Sequence, residues 1–266
     1  MPNVEHAKKT QKRLLKSTHT LIAKTRAAFN IFTDYFKHDR GRAPRIVYIG
    51  HSSVDPLVHF GNNLPEKNFE NVFHAYGHAG TKGTVELVKC WARHPEWPTL
   101  TVVGNKNDDK IPFGFNDPDN IVFYNKVGHE ELGVLHSEAA IHVYPTSREG
   151  FGHALNEARG SGALLVTTNF GPMDEFVHEG YSGFLIDIKY ENVEDFQLFG
   201  EFMPVQAHVD SEAICNSMEK LLKKSLTERR RMGEAGRAGF LADRMFFKEK
   251  VKIIKNEALK LFNGQE

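Results

Sequence analysis

From residue 45 onward the chain repeats one pattern: a short apolar, largely β-branched run, a joint bearing glycine or proline, then a stretch of helical periodicity. The runs are RIVYIG (45–50), NVFHAY (71–76), TLTVVG (99–104), NIVFYN (120–125), AIHVYP (140–145), ALLVTT (163–168) and GFLIDI (183–188). They are apolar on both faces, as strands of a parallel sheet covered on both sides must be. Helical patterns fall between them near 82–93, 129–138, 152–161 and 172–179. This alternation predicts right-handed βαβ units. The expected fold class is therefore α/β, a Rossmann-like parallel sheet flanked by helices. Pro56, Pro65, Pro95, Pro98, Pro112, Pro118 and Pro145 stand at the joints, where a missing N–H costs least.

The pattern changes after 205. SEAICNSMEKLLKKS, TERRRMGEAGRAGFLA and FKEKVKIIKNEALKLF predict three helices packed on one flank of the sheet, the first capped by Asp210 or Ser211. The loop 189–207 is long and aromatic (Tyr190, Phe196, Phe199, Phe202), either a lid or a packed excursion. Residues 1–45 form a separate piece. There HTLIAKT predicts a strand and RAAFNIFTDYFKH a helix with Phe29, Phe32 and Phe36 along one face. One strand and one helix cannot bury a core alone, so this piece must dock on the main domain or on something outside the chain. The expected organisation is a basic strand-and-helix piece at 1–45, then a Rossmann-like domain at 46–205, then a helical segment at 206–266 on the same domain.

Composition narrows the class. At 40% hydrophobic and 26% charged, the chain is ordinary for a soluble globular protein. Lys plus Arg equal Asp plus Glu at 34 each, so nothing points to nucleic acid. Residues 1–45 carry eleven Lys/Arg, from Lys8 to Arg45, against Glu5, Asp34 and Asp39. A solvated helix face and a peripheral contact with an anionic membrane through residues 8–45 both fit. Cys90 and Cys215 suit a reducing compartment and argue against a disulfide scaffold. No His/Cys cluster has zinc spacing, and most of the 14 histidines are expected at the surface or the core edge. No apolar run reaches the roughly 18 residues a membrane span needs. A cytoplasmic protein is expected.

The chemistry concentrates in PTSREGFG, which follows the strand 140–145. In an open α/β sheet, ligands bind beyond the carboxyl ends of the strands. Gly150 and Gly152 let backbone approach a ligand, and the helix beginning near Gly152 offers amides to an anion. Glu149 lies in the loop and Glu157 in the helix's second turn, where a carboxylate can accept both hydrogen bonds of a vicinal diol. A ligand with a sugar at each end of a diphosphate, a nucleotide sugar, meets all of these. The opposing reading makes Glu157 half of a surface salt bridge and Glu149 a residue favouring the helix N-terminus. Spacing alone does not separate the two. HAYGHAGTKGTVELVKCW repeats the strand, glycine loop and helix, with Lys82 at the helix start. A cation there opposes the helix dipole and so suggests an anion nearby. On a diphosphate it stabilises charge that grows in the transition state.

The order TKGT, W..HPEWPTLTVVG, NIVFYNKVGHEELGVLHSEAAIHVYPTSREGFGHALNEA, GALLVTTNFGPMDEFV and GFLI resembles the C-terminal, donor-binding domain of GT-B retaining glycosyltransferases, family 4 nearest. The likeness runs from about 70 to 190 and includes the family's E-x7-E motif as Glu149 and Glu157. It implies that Glu157 holds the ribose, Glu149 contacts donor-sugar hydroxyls and Lys82 binds the diphosphate. Gly150, Phe151, Gly152, His153, Leu155 and Asn156 would surround the phosphates, with Val127 bordering the base. It also implies transfer of a hexose-type sugar with retention and without metal or other cofactor, so that Asp108 and Asp109 in NDDK are a solvated turn. Where the family usually carries a Gly-Arg pair, this chain has Gly77 and His78. Only a remnant of an acceptor domain precedes the donor half. The resemblance thus implies a glycosyltransferase of unknown acceptor represented by its donor-binding half: either the chain is a natural fragment or truncated product, or a separate subunit supplies the acceptor half. The alternatives are a non-catalytic nucleotide-sugar-binding or interaction module and a GT-B-like epimerase or phosphorylase.

Overall fold

A computed structural model describes residues 17–37, 43–61, 64–76, 81–104, 118–125, 127–192 and 205–263. Its centre is a parallel six-stranded sheet of β3 (Asn68–Ala75), β4 (Thr99–Val103), β5 (Ile121–Tyr124), β6 (Ala139–Tyr144), β7 (Leu164–Thr168) and β8 (Gly183–Ile186). Their spatial order is β5-β4-β3-β6-β7-β8, all neighbours parallel. The chain builds outward from β3 to β5, crosses back, and builds outward again from β6 to β8. The helices that follow β3 and β6 therefore lie on opposite faces, and a crevice forms where the strand order reverses.

Both faces are covered, as the two-sided apolar strands require. On one face α2 (Thr84–Trp91) and α5 (Ser211–Leu222) bury Leu87, Trp91, Ile214 and Met218 against Val72, Leu100, Ile141 and Leu164. On the other, α3 (His129–Glu138), α4 (His153–Gly160) and a 3-10 turn (Met173–Phe176) enclose Phe73, Tyr144, Leu155, Leu165 and Met173. Asp210, not Ser211, caps α5, its carboxylate accepting the amide of Ala213 at 2.8 Å.

Several expectations are corrected. RIVYIG does not join the main sheet: β2 (Arg45–Tyr48) pairs in parallel with β1 (Thr20–Ala23) as a two-stranded sheet. With α1 (Arg26–Lys37), that sheet forms a small core of Leu21, Phe32 and Phe36. Phe29 turns instead to Tyr48, ring to ring at 6.3 Å. The piece docks on the main domain, because the Glu175 carboxylate accepts the first amides of α1, Arg26 at 2.7 Å and Ala27 at 2.8 Å. The stretch 172–179 is only the 3-10 turn, confined between Pro172 and the β-bridge residue Glu179. The last two predicted helices are one, α6 (Leu226–Phe262). Its glycines are places of close packing rather than breaks. A Cβ on Gly233 would stand 2.4 Å from the carbonyl oxygen of Gly162.

The cysteine expectation also fails. Cys90 on α2 and Cys215 on α5 form a disulfide, with Cα atoms 5.7 Å apart and a sequence separation of 125. The two helices lie side by side on one face, a neighbourhood that sequence distance conceals. In the 189–207 segment, β9 (Lys189–Asn192) and β10 (Val205–His208) pair antiparallel. Phe196, Phe199 and Phe202 lie outside the described residues, as do Asp108 and Asp109. Among the described residues no helix is long and apolar enough to cross a membrane.

Candidate functional site

The loops after β3 and β6 meet over the crevice. Ser147 donates its amide to the carbonyl of Thr81 at 2.9 Å, and the Thr146 hydroxyl donates to the same carbonyl at 3.1 Å. Gly83 opens α2 in the left-handed region (φ 68°), where a Cβ would stand 2.1 Å from the Pro145 carbonyl oxygen. Only glycine permits that approach. Beneath it, fully buried His74 joins both elements, its Nδ1 2.7 Å from the Val143 carbonyl and its Nε2 2.8 Å from Thr84 Oγ1. Since a carbonyl only accepts, Nδ1 carries the proton and the Thr84 hydroxyl donates to Nε2. Burial lowers this histidine to about 4, so it stays neutral. His51, His74 and His142 are buried rather than at the surface or core edge.

This packing brings Lys82 and Glu149 together. The lysine ammonium donates to Glu149 Oε1, and both side chains are largely buried. Gly152 caps α4 with φ 65°, and the amides of His153 to Leu155, the first of the helix, have no intrahelical acceptor. The Asn156 amide is already committed to the Gly152 carbonyl at 2.9 Å.

Glu157 behaves differently from Glu149. No hydrogen bond or ion pair holds its carboxylate among the described residues. It lines a cavity of about 460 Å³ walled by Phe73, Ala75, Leu132, Tyr144 and Ala154, and closed by Val54 and Pro56 of the loop after β2. Burial raises its carboxyl above the ordinary value, and His153 partly offsets this.

The other expected residues divide. Gly150 is exposed in the turn and His153 is exposed on α4. Leu155 is wholly buried in the core. Asn156 is fully buried too, donating to Ser53 Oγ at 3.1 Å and accepting from Arg159 at 2.7 Å. Neither side chain faces the crevice, because the apolar stripe of α4 points to the sheet. Val127 packs on the same core cluster as Tyr144. Gly77 and His78 lie outside the described residues. Phe151 turns toward the N-terminal piece, with Lys24 Nζ 4.6 Å above its ring and His51 stacked at 6.1 Å. Sequence reasoning missed His51, His74 and the 51–56 loop. For the loop, the one available signal was a charged pairing across the chain. Asp55 accepts both arms of Arg237 at 2.6 and 2.8 Å; burial works against its ionisation, but the Arg237 hydrogen bonds hold its carboxyl below the usual range.

The fold is an open α/β parallel sheet with a lysine and two carboxylates gathered at its switch point. Residues 57–197, slightly more than half of the chain, match the family glycosyl transferases group 1, and the chain belongs to that family. It is similar to the GtfA subunits of UDP-N-acetylglucosamine–peptide N-acetylglucosaminyltransferase. The identity is 25% over 190 residues for the Streptococcus gordonii protein and 30% over 169 residues for that of Streptococcus pneumoniae serotype 4. These alignments cover 68% and 62% of this chain but only 36% and 32% of the relatives, so the chain spans about a third of their length. The fold also superposes on the crystal structure of a GtfA/B complex with a TM-score of 0.69 at 21% identity, covering 95% of this chain and 47% of that one.

Proposed function

We propose that the chain is the donor-binding half of a retaining, family 4 glycosyltransferase that uses a nucleotide sugar. The observation that carries this is the convergence of Lys82, Glu149 and the unpaired Glu157 at the β3/β6 switch point. Glu157 accepts the ribose diol, and the apolar cavity beside it takes the base. Lys82 and the first amides of α4 neutralise the diphosphate. Glu149 holds hydroxyls of a hexose-type donor sugar. In the transfer, the bond from the sugar's anomeric carbon to the phosphate oxygen breaks and a bond from the acceptor oxygen to that carbon forms. The acceptor proton passes to the departing diphosphate, whose growing charge Lys82 stabilises by a few kcal/mol. No metal enters this scheme. The relatives' names make UDP the first nucleotide to try and N-acetylglucosamine the first sugar.

The acceptor wall comes from outside residues 17–263, either from a partner subunit, as the GtfA/B complex suggests by analogy, or from further chain. A second reading, a non-catalytic binding module, draws on the Lys82–Glu149 ion pair, which already satisfies the cation that a diphosphate would engage. Thermal shift with UDP, GDP and ADP and their sugars tests binding. A ligand at 100 times its Kd stabilises by about 2.7 kcal/mol, and the absence of any shift sinks both readings. Donor hydrolysis or transfer that is lost in Lys82→Ala and Glu149→Ala separates enzyme from module.

A further inference from the structure

One wall of the cavity at Glu157 is the segment 54–59, which runs into a short 3-10 turn (Val58–Phe60). Val54 and Val58 are 72% and 60% exposed and bury too little apolar surface to hold that segment in place. Polar ties and one close approach hold it instead. Arg237, in the first half of α6, lays a bidentate fork on the Asp55 carboxylate at 2.6 and 2.8 Å. The same guanidinium donates to the carbonyl of Gly160, the last residue of α4. Asn156, the residue before Glu157, donates to Ser53 Oγ at 3.1 Å. Pro56 packs on Gly160, where an added Cβ would stand 2.8 Å from Pro56 Cδ. The Leu57 amide donates to Asp55 Oδ1 at 3.0 Å and fixes the turn that follows.

One guanidinium therefore spans the cavity's frame: its fork grips the wall, and its third bond grips the helix that carries Glu157. The side chains of Arg237 and Asp55 are largely buried, so water and salt screen the pair less than a surface bridge. Charge-assisted bidentate bonds are the strong class, and the planar fork fixes direction as well as distance. Arg244 reaches the same carboxylate only at the longer distance of 3.5 Å. The Lys82 end of the crevice is held separately, by the contacts of 81–83 with Pro145, Thr146 and Ser147.

We propose that Arg237 is a positioning residue of this cavity, holding the 54–59 wall at the spacing from Glu157 that a nucleoside needs. The proposal rests on the donor-site reading and adds to it the element that sets the cavity's width. A wall seated in only about one molecule in ten lowers apparent affinity about ten-fold. Titration calorimetry of the whole chain with UDP, and hydrogen exchange of its backbone amides, are the tests. Arg237→Ala is expected to bind UDP about ten-fold more weakly. Its exchange should quicken at Leu57 and Val58 but not in β3 or β6. Arg237→Lys, which keeps the charge and loses the fork, should fall between parent and Arg237→Ala. Gly160→Ala pushes on Pro56 without touching a charge, and should also weaken UDP. Met232→Ala truncates a core side chain elsewhere on α6, and should melt lower than the parent yet keep its UDP affinity. UDP affinity unchanged in Arg237→Ala, or exchange no faster at Leu57 and Val58, overturns this proposal and leaves the donor-site reading standing. An equal loss in Met232→Ala, or exchange quickened throughout the sheet, makes Arg237 merely structural and overturns the proposal too. A parent that binds no nucleotide fells the donor-site reading, and this proposal with it.

Discussion

Replacing Gly83 by alanine should separate the two loops that bring Lys82 to Glu149. Alanine in the left-handed region costs about 1–2 kcal/mol by itself. The new methyl would also lie 2.1 Å from the Pro145 carbonyl oxygen and 2.9 Å from Pro145 Cγ. Backbone cannot yield as a side-chain tip does, so the loops must part by roughly 1 Å to regain van der Waals distance. That strains the two hydrogen bonds into the Thr81 carbonyl, at 2.9 and 3.1 Å, each worth about 1 kcal/mol. The total is about 3–4 kcal/mol, or a Tm lower by roughly 6–15 °C for a domain of this size. A displacement of about 1 Å should also weaken a diphosphate ligand or slow its transfer by up to about 100-fold. Gly180→Ala is the control, since φ there is 70° with nothing within 4 Å of the added Cβ. It carries the conformational cost alone. Circular-dichroism melts and UDP titration of both variants decide the matter. If Gly83→Ala melts no lower than Gly180→Ala and binds UDP like the parent, the close-approach argument is wrong.

Reduction of Cys90–Cys215 frees a loop of 125 residues, and the chain-entropy account puts the loss at about 5 kcal/mol. Urea midpoints with and without reductant check this, and two titratable thiols in the unreduced, denatured protein would contradict it. Arg237→Ala leaves the Asp55 carboxylate with the Leu57 amide at 3.0 Å and Arg244 at 3.5 Å, and should cost about 1.5–3 kcal/mol by chemical denaturation. Because the folded Asp55 carboxyl is depressed, its contribution is complete above the unfolded carboxylate pKa and fades as pH falls through the folded value. The parent and variant curves should therefore converge in acid. Glu157 has the opposite sign: its carboxyl is raised, so the ionised form opposes folding above that value and the cost vanishes in acid. Glu157→Gln should melt above the parent at neutral pH, match it in acid and lose UDP affinity. A variant that melts lower at neutral pH would show that the carboxylate has a partner.

Much of the site was legible because its signals are local. The glycines at 150 and 152, the carboxylates Glu149 and Glu157 eight positions apart and the lysine opening α2 are short-range patterns with a stereochemical reason. What they would touch was not legible. Glu149 and Glu157 look equivalent in the motif, yet one is tied to Lys82 and the other faces a cavity with no partner among the described residues. Leu155 and Asn156 fall in the same run, but the helix turns their side chains into the core.

The sequence by itself determined the kinds of element and their order, since a two-sided apolar run or a helical stripe needs only its own residues to be recognised. Tertiary structure alone decided that β2 pairs with β1, that Cys90 meets Cys215, and that α6 runs unbroken past Gly233, Gly236 and Gly239. It alone buried His51, whose ring nitrogens have no hydrogen-bond partner among the described residues. Each of these depends on which distant surface the segment packs against, and the free energy of such contacts is carried by partners far away in the chain.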